Sequence, residues 1–337
     1  AMKNYVDVEG SGQGITTITC ALCSGTDSND SVVGSTISIG EVNAEIRQIT
    51  IKNTSSTFGY AVHSNQNNST TWSVSIADVT ATATDGTLAI GIDAKNSTLK
   101  LRNVTATASN GTSNYGIKSN NSSVTIETTK ATASGGPGGV VSINAGIFIE
   151  QAQLLPAQLN NVIAEAYCDN CTETVGVYAS NARLIANNVT ATAQKSDSAT
   201  GFLAESSSVV DISNSTTVGI EAQDNYGISV SSGSSATVND ITATGASTTG
   251  ESSYGIEVKG ASSTLNAFNT KAVGEAGNAG QGAVVDGIGA TASFTNSVLD
   301  GESLNSGTSI WLVNGGAAKV VNTRFEPSPV DDSGDLT

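Results

Sequence analysis

The chain has 337 residues, with 30 Asp and Glu against 14 Lys and Arg, a net charge of −16. So few cations exclude a counterion-releasing grip on nucleic acid, and the same charge is repelled by an anionic membrane surface. Charged residues make up only 13% and aromatics 4%, too little for a helical core, yet 38% of residues are apolar and recur in a fixed pattern.

Residues 1–35 match no repeat and are expected to cap the first coil of a repeat array. Ala1-Met2 reads as a cloning remnant, so an export signal is expected to have been removed upstream. Cys20 and Cys23 form a close pair, repeated later as Cys168 and Cys171. Two such pairs can suggest zinc, but the repeat register separates them by several coils. Each is expected to close a small local disulfide, consistent with an oxidising compartment. The acidic turn Asp27–Asp30 reads as solvated Asp, with weak Ca²⁺ binding as the alternative. No other cofactor or metal is expected.

From residue 36 onward a short phrase recurs: Asp78-Val-Thr-Ala-Thr-Ala83, Asn103-Val-Thr-Ala-Thr-Ala108, Asn188-Val-Thr-Ala-Thr-Ala193 and Asp240-Ile-Thr-Ala-Thr-Gly245. Its register extends to Asn53, Thr128, Asn161, Asn214, Asn269, Asn296 and Asn322, at intervals of 25 to 33 residues. That period marks a repeat architecture. A second anchor runs in parallel at Gly59, Gly91, Gly116, Gly146, Gly176, Gly201, Gly227, Gly255 and Gly282, with Ser309 at the next rung. Stretches such as Leu99-Lys-Leu101, Val124-Thr-Ile126 and Val210-Asp-Ile212 alternate with period two, the signal of strands with one buried face. Three short strands per coil, joined by Gly, Ser and Asn turns, describe a three-faced parallel β-helix. The Asn and Asp rungs are expected at an inner corner in left-handed backbone geometry. There the side chains of Asn103, Asn161, Asn188, Asn214, Asp240, Asn269, Asn296 and Asn322 would stack into a ladder.

Over residues 36–326 this pattern resembles the pectin-lyase-like superfamily of right-handed parallel β-helix proteins. The resemblance implies an all-β solenoid of about 11–12 coils, a rod on the order of 55 Å long at ~4.8 Å per coil. That superfamily includes lyases, hydrolases, tailspikes and adhesins, so it implies a fold and not an activity. Residues 327–337, with Pro327, Pro329 and three Asp, read as an exposed tail.

Catalytic β-helices carry clustered groups on one face. Polygalacturonases would need paired Asp with a nearby His, and the one histidine, His63, reads as a surface residue without a task. Pectate lyases would need calcium carboxylates and a basic partner, but Arg47, Arg102, Arg183 and Arg324 lie on separated coils. No catalytic residue is therefore expected. Two outward columns remain. One is a Thr-x-Thr array at Thr80/Thr82, Thr105/Thr107, Thr190/Thr192 and Thr242/Thr244, interrupted by Lys130, Ile163 and Glu165. The other stands two residues after each anchor Gly: Ala61, Asp93, Lys118, Phe148, Tyr178, Leu203, Ser229, Glu257 and Val284, ending at Trp311. Within it Phe148, Tyr178 and Leu203 form a contiguous apolar strip, either the binding surface for a glycan, a protein surface or a second copy, or scaffold that the expanded Gly135–Gly139 loop folds over and buries. The reading is a non-catalytic protein of the cell surface or secreted space: an adhesin, a filament or spike component, or a carbohydrate-binding scaffold. A polysaccharide lyase or glycoside hydrolase is the alternative, and an ice-binding protein using the Thr face is the second.

Overall fold

The computed structural model describes residues 7–21, 34–55, 57–66, 72–135, 143–151, 156–169, 171–247, 252–276, 278–303, 306–326, 330–332 and 335–336. Every regular element among them is a strand, and every pairing is parallel. In one turn, Thr98–Ser109 leads to Ser113–Asn120 and then to Ser123–Ser134. The last of these lies in register on the first, Leu99 against Val124 and Thr107 against Thr132. The described strands so form two stacks, a broad 19-stranded sheet and a 12-stranded sheet. Together they make a parallel β-solenoid of about 10 turns.

Eleven to twelve coils were expected, and the difference lies at the ends, where rungs are partial. Val8–Glu9 and Thr17–Cys20 pair with Ala44–Asn53. Val330–Asp332 and Asp335–Leu336 pair with Ser306–Val313 and Ala317–Val321. The described parts of both terminal segments thus continue the sheets.

Inside, columns of like residues stack. Ile92, Ile117, Ile147, Val177, Phe202, Ile228 and Ile256 follow one another rung on rung, all buried. Each large side chain so buried contributes about 1.5–3 kcal/mol.

The repeated Asn corner takes the expected backbone and the opposite side-chain direction. Asn103, Asn161, Asn188, Asn214, Asp240, Asn269, Asn296 and Asn322 all have φ between 48° and 55°, the left-handed region. All eight are exposed. A convex corner turns the left-handed residue outward and the next residue inward, as at Val104, Val162 and Val189. The amides still pair on the outside: Asn188 Nδ2 donates to Asn161 Oδ1 at 2.6 Å, and Asn322 Nδ2 to Asn296 Oδ1 at 2.7 Å. The buried polar ladder is built from serine instead. Ser208 Oγ accepts from Ala182 N at 3.1 Å, Ser234 Oγ from Ser208 N at 3.0 Å, and Ser263 Oγ from Gly233 N at 3.1 Å.

The anchor glycines mark a close approach of two backbones. A Cβ at Gly176 would stand 2.6 Å from Gly201 O and 2.7 Å from Thr192 N in the facing sheet. At this point the strand bends, so that Gly and its successor both face inward. A second inward column changes along the chain. It reads Ala83, Ala108, Ala133, Ala166, Ala193, then Gly219, Gly245, Gly274 and Gly301. A Cβ on Gly245 would meet Tyr254 O at 2.4 Å, so the sheets lie closer in the later turns. At the same boundary the long strands of the broad sheet, such as Arg183–Gln194, give way to pairs such as Val209–Ser213 and Thr216–Ile220.

Cys168 and Cys171 form the expected local disulfide, with Cα atoms 5.6 Å apart. Cys20 is disulfide-bonded, and Cys23 lies outside the described residues, as does the acidic turn Asp27–Asp30.

Candidate functional site

The inward bend at the anchor glycines makes the outer face of the 12-stranded sheet concave. Side chains one residue before the glycine and two residues after it therefore converge on the outside. Tyr115 and Phe148, from these two positions on neighbouring rungs, have ring centroids 5.5 Å apart, and Phe148 lies 4.7 Å from Tyr178. Lys118 Nζ sits 5.2 Å from the Tyr115 ring and 5.7 Å from that of Phe148. Ile90, Tyr115, Ala145, Val175, Tyr178 and Leu203 join Phe148 in an apolar cluster separate from the interior core. The floor of a groove along the solenoid axis is thus itself a small core.

The predicted strip occupies this floor. Phe148, Tyr178 and Leu203 do turn away from the interior and do stand on consecutive rungs. They are not a free surface patch, however: Tyr178 is 7% and Leu203 6% exposed, and Phe148 is half-buried. The concavity packs them against one another and against Tyr115, which a flat strand would have kept apart.

Carboxylates stand on both walls. Glu173 opens the strand Glu173–Ser180, three residues before Gly176, and Glu205 ends the next strand, Ser198–Glu205. The Tyr178 hydroxyl, rising from the floor, donates a hydrogen bond to Glu205 Oε1. Burial first, and the neighbouring Glu205 carboxylate second, push the Glu173 carboxyl up to about 7. Among the described residues Glu173 has no cation within ion-pair distance to offset this. Further along, Tyr226 and Tyr254 stack with centroids 5.1 Å apart. Beside them Glu257 accepts from Ser229 Oγ at 2.9 Å, and burial raises its proton affinity too. Burial likewise pushes the hydroxyls of Tyr115, Tyr178, Tyr226 and Tyr254 up, leaving them protonated donors at neutral pH.

At the other end of the groove lies His63, expected at the surface and found buried. Its Nδ1 is 2.7 Å from Asp93 Oδ2. The residue aligned with the anchor glycines in this first coil is Ala61, not Gly59, because Tyr60 pairs with Ile90 and His63 with Asp93. The slip of two residues put Ala61 in the outward column in place of His63. The corner register slips there as well: Gln48, with φ 54°, takes the left-handed position, and Asn53 is buried.

Glu173, Glu205 and the groove tyrosines were also missed. A signal existed in the phrase Tyr-Gly-Ile, at Tyr115-Gly-Ile117, Tyr226-Gly-Ile228 and Tyr254-Gly-Ile256. Strict alternation assigns those tyrosines to the inside, and only the bend at glycine reverses that. The Thr-x-Thr face lies on the broad sheet, where Lys130 and Glu165 form an ion pair at 2.8 Å across it. No group of three or more His, Cys, Asp or Glu that could hold a metal occurs among the described residues. No helix among them is long and apolar enough to cross a membrane.

No family model matches the chain, and no curated protein matches it. Among solved structures, it is similar to the catalytic domain of a GH87 alpha-1,3-glucanase in complex with nigerose, with a TM-score of 0.44 and 11% identity. The similarity covers 99% of this chain and 60% of that one, so this chain spans about 60% of the length of the solved structure.

Proposed function

We propose that this protein is a secreted glycoside hydrolase that seats a polysaccharide chain along the groove of the 12-stranded sheet. One observation carries the reading: a carboxyl group whose proton affinity is raised to about 7, Glu173, faces a second carboxylate, Glu205, above an aromatic floor. Two carboxyl groups in unlike environments are the working parts of glycoside hydrolysis. Aromatic rings beside hydrogen-bond donors suit the apolar faces and hydroxyls of a sugar. A purely adhesive groove has no need of a carboxyl group whose proton affinity burial raises toward neutral pH. The Cys168–Cys171 disulfide fits an oxidising compartment.

Two measurements test this reading: affinity electrophoresis in gels containing glucans, mannans, galactans or xylans, and release of reducing ends from the same polymers. Retardation together with new reducing ends is expected on at least one polymer, and Phe148→Ala with Tyr226→Ala should abolish retardation. Retardation without reducing ends would favour a non-catalytic carbohydrate-binding scaffold instead.

A further inference from the structure

We infer that Glu173 is the general acid and Glu205 the general base of the groove, an assignment that rests on the proposed hydrolase activity. The two come from opposite ends of adjacent strands, so they stand on opposite walls, one rung apart. Between them lie Val175, Tyr178 and Leu203, an apolar floor that keeps water from screening the pair.

Their environments divide the roles. Glu173 accepts no hydrogen bond from, and forms no ion pair with, another described side chain, and burial favours its neutral form. Glu205 accepts the Tyr178 hydroxyl, a donor that suits a charged carboxylate. Aromatic platforms lie on both sides of the pair along the axis, Tyr115 and Phe148 on earlier rungs, Tyr226 and Tyr254 on later ones. A chain laid along the groove therefore continues past the carboxylates in both directions, and cleavage is internal to the polymer.

In the step, the Glu173 carboxyl gives its proton to the glycosidic oxygen as the bond from that oxygen to the anomeric carbon breaks. A water oxygen bonds to the anomeric carbon, and the proton it loses goes to Glu205. One water is consumed, two shorter saccharides leave, and nothing is oxidised or reduced. Proton exchange with solvent resets both groups.

The test compares wild type with Glu173→Gln and Glu205→Gln, both close in shape to the native residue. Both variants should lose ~10²–10⁴-fold in reducing-end release while keeping gel retardation within about twofold of wild type. On a dinitrophenyl glycoside, whose leaving group needs no proton, Glu173→Gln should recover most of its activity and Glu205→Gln should not. Product sizing of an early wild-type digest should show mid-length fragments. Wild-type hydrolysis that survives either substitution within tenfold overturns the assignment and leaves the hydrolase reading standing. An early digest of monosaccharide alone overturns the internal cleavage. A wild type that binds the polymers and cleaves none overturns both.

Discussion

His63 Nδ1 lies 2.7 Å from Asp93 Oδ2 on adjacent rungs, with His63 1% and Asp93 6% exposed. Removing Asp93 takes from the buried His63 its hydrogen-bond partner on the next rung and leaves a cavity beside it. Asp93→Ala is expected to destabilise the fold by about 2–4 kcal/mol, whereas Ser38→Ala, on the exposed preceding rung of the same column, is expected to change it by less than about 0.5 kcal/mol. Denaturant melts of the two variants check the contrast.

The raised proton affinity of Glu173 has a sign that a melt can read. Its folded-state value of about 7 exceeds the ordinary 4.5, so the folded protein holds this proton more tightly than the unfolded chain. Its contribution is fully present below pH 4.5 and is lost as pH rises to about 7. Glu173→Gln should therefore raise the melting temperature at pH 8 and leave it nearly unchanged at pH 4. If the chain acts as the proposed hydrolase, its activity should fall as pH rises through 7, because the acid form of Glu173 is lost.

Gly176→Ala is expected to cost more than about 2 kcal/mol, since its Cβ would meet backbone atoms of both Gly201 and Thr192 inside 3 Å and neither can yield. Gly40→Ala, with nothing within 4 Å of the new Cβ, should be nearly silent. Chemical denaturation of the pair measures the cost of separating the sheets.

Thr128 occupies the left-handed corner with φ 47°, where most rungs carry Asn or Asp. A β-branched residue is strained there, and Thr128→Asn should stabilise the protein by about 0.5–1 kcal/mol. Ser208→Ala should do the reverse. It removes the acceptor for the buried Ala182 N–H, and a loss of about 1–3 kcal/mol is expected in a thermal or urea melt.

The solenoid was legible because its signal is local and repeated. Asn103 and Asn188 recur in one phrase, and their left-handed φ follows from residue type. The direction of those side chains was not legible, because it depends on whether a corner is convex, which the phrase does not encode. The groove was hidden for a related reason. Period-two reasoning assumes an unbroken strand, and at Gly116 or Gly176 two successive residues face inward, so Tyr115 moves outside to meet Phe148. Glu173 and Glu205 are 32 positions apart in sequence (205 − 173) and come to opposite ends of adjacent strands only through the stacking of coils. Phe148, Tyr178 and Leu203 were found because they share one column, which a repeat register does reveal.

The exchange of Ala193 for Gly219 in the inward column divides the solenoid into two interchange groups. A coil that carries alanine there needs a methyl's width between the sheets, and the later turns do not have it. Coils can therefore be duplicated or deleted within the early turns, or within the later ones, without a steric penalty at this column. A coil moved from the early group into the late one would drive its alanine into a carbonyl, as a Cβ at Gly274 would meet Gln281 O at 2.0 Å. One methyl group thus decides which half of the solenoid a given coil fits.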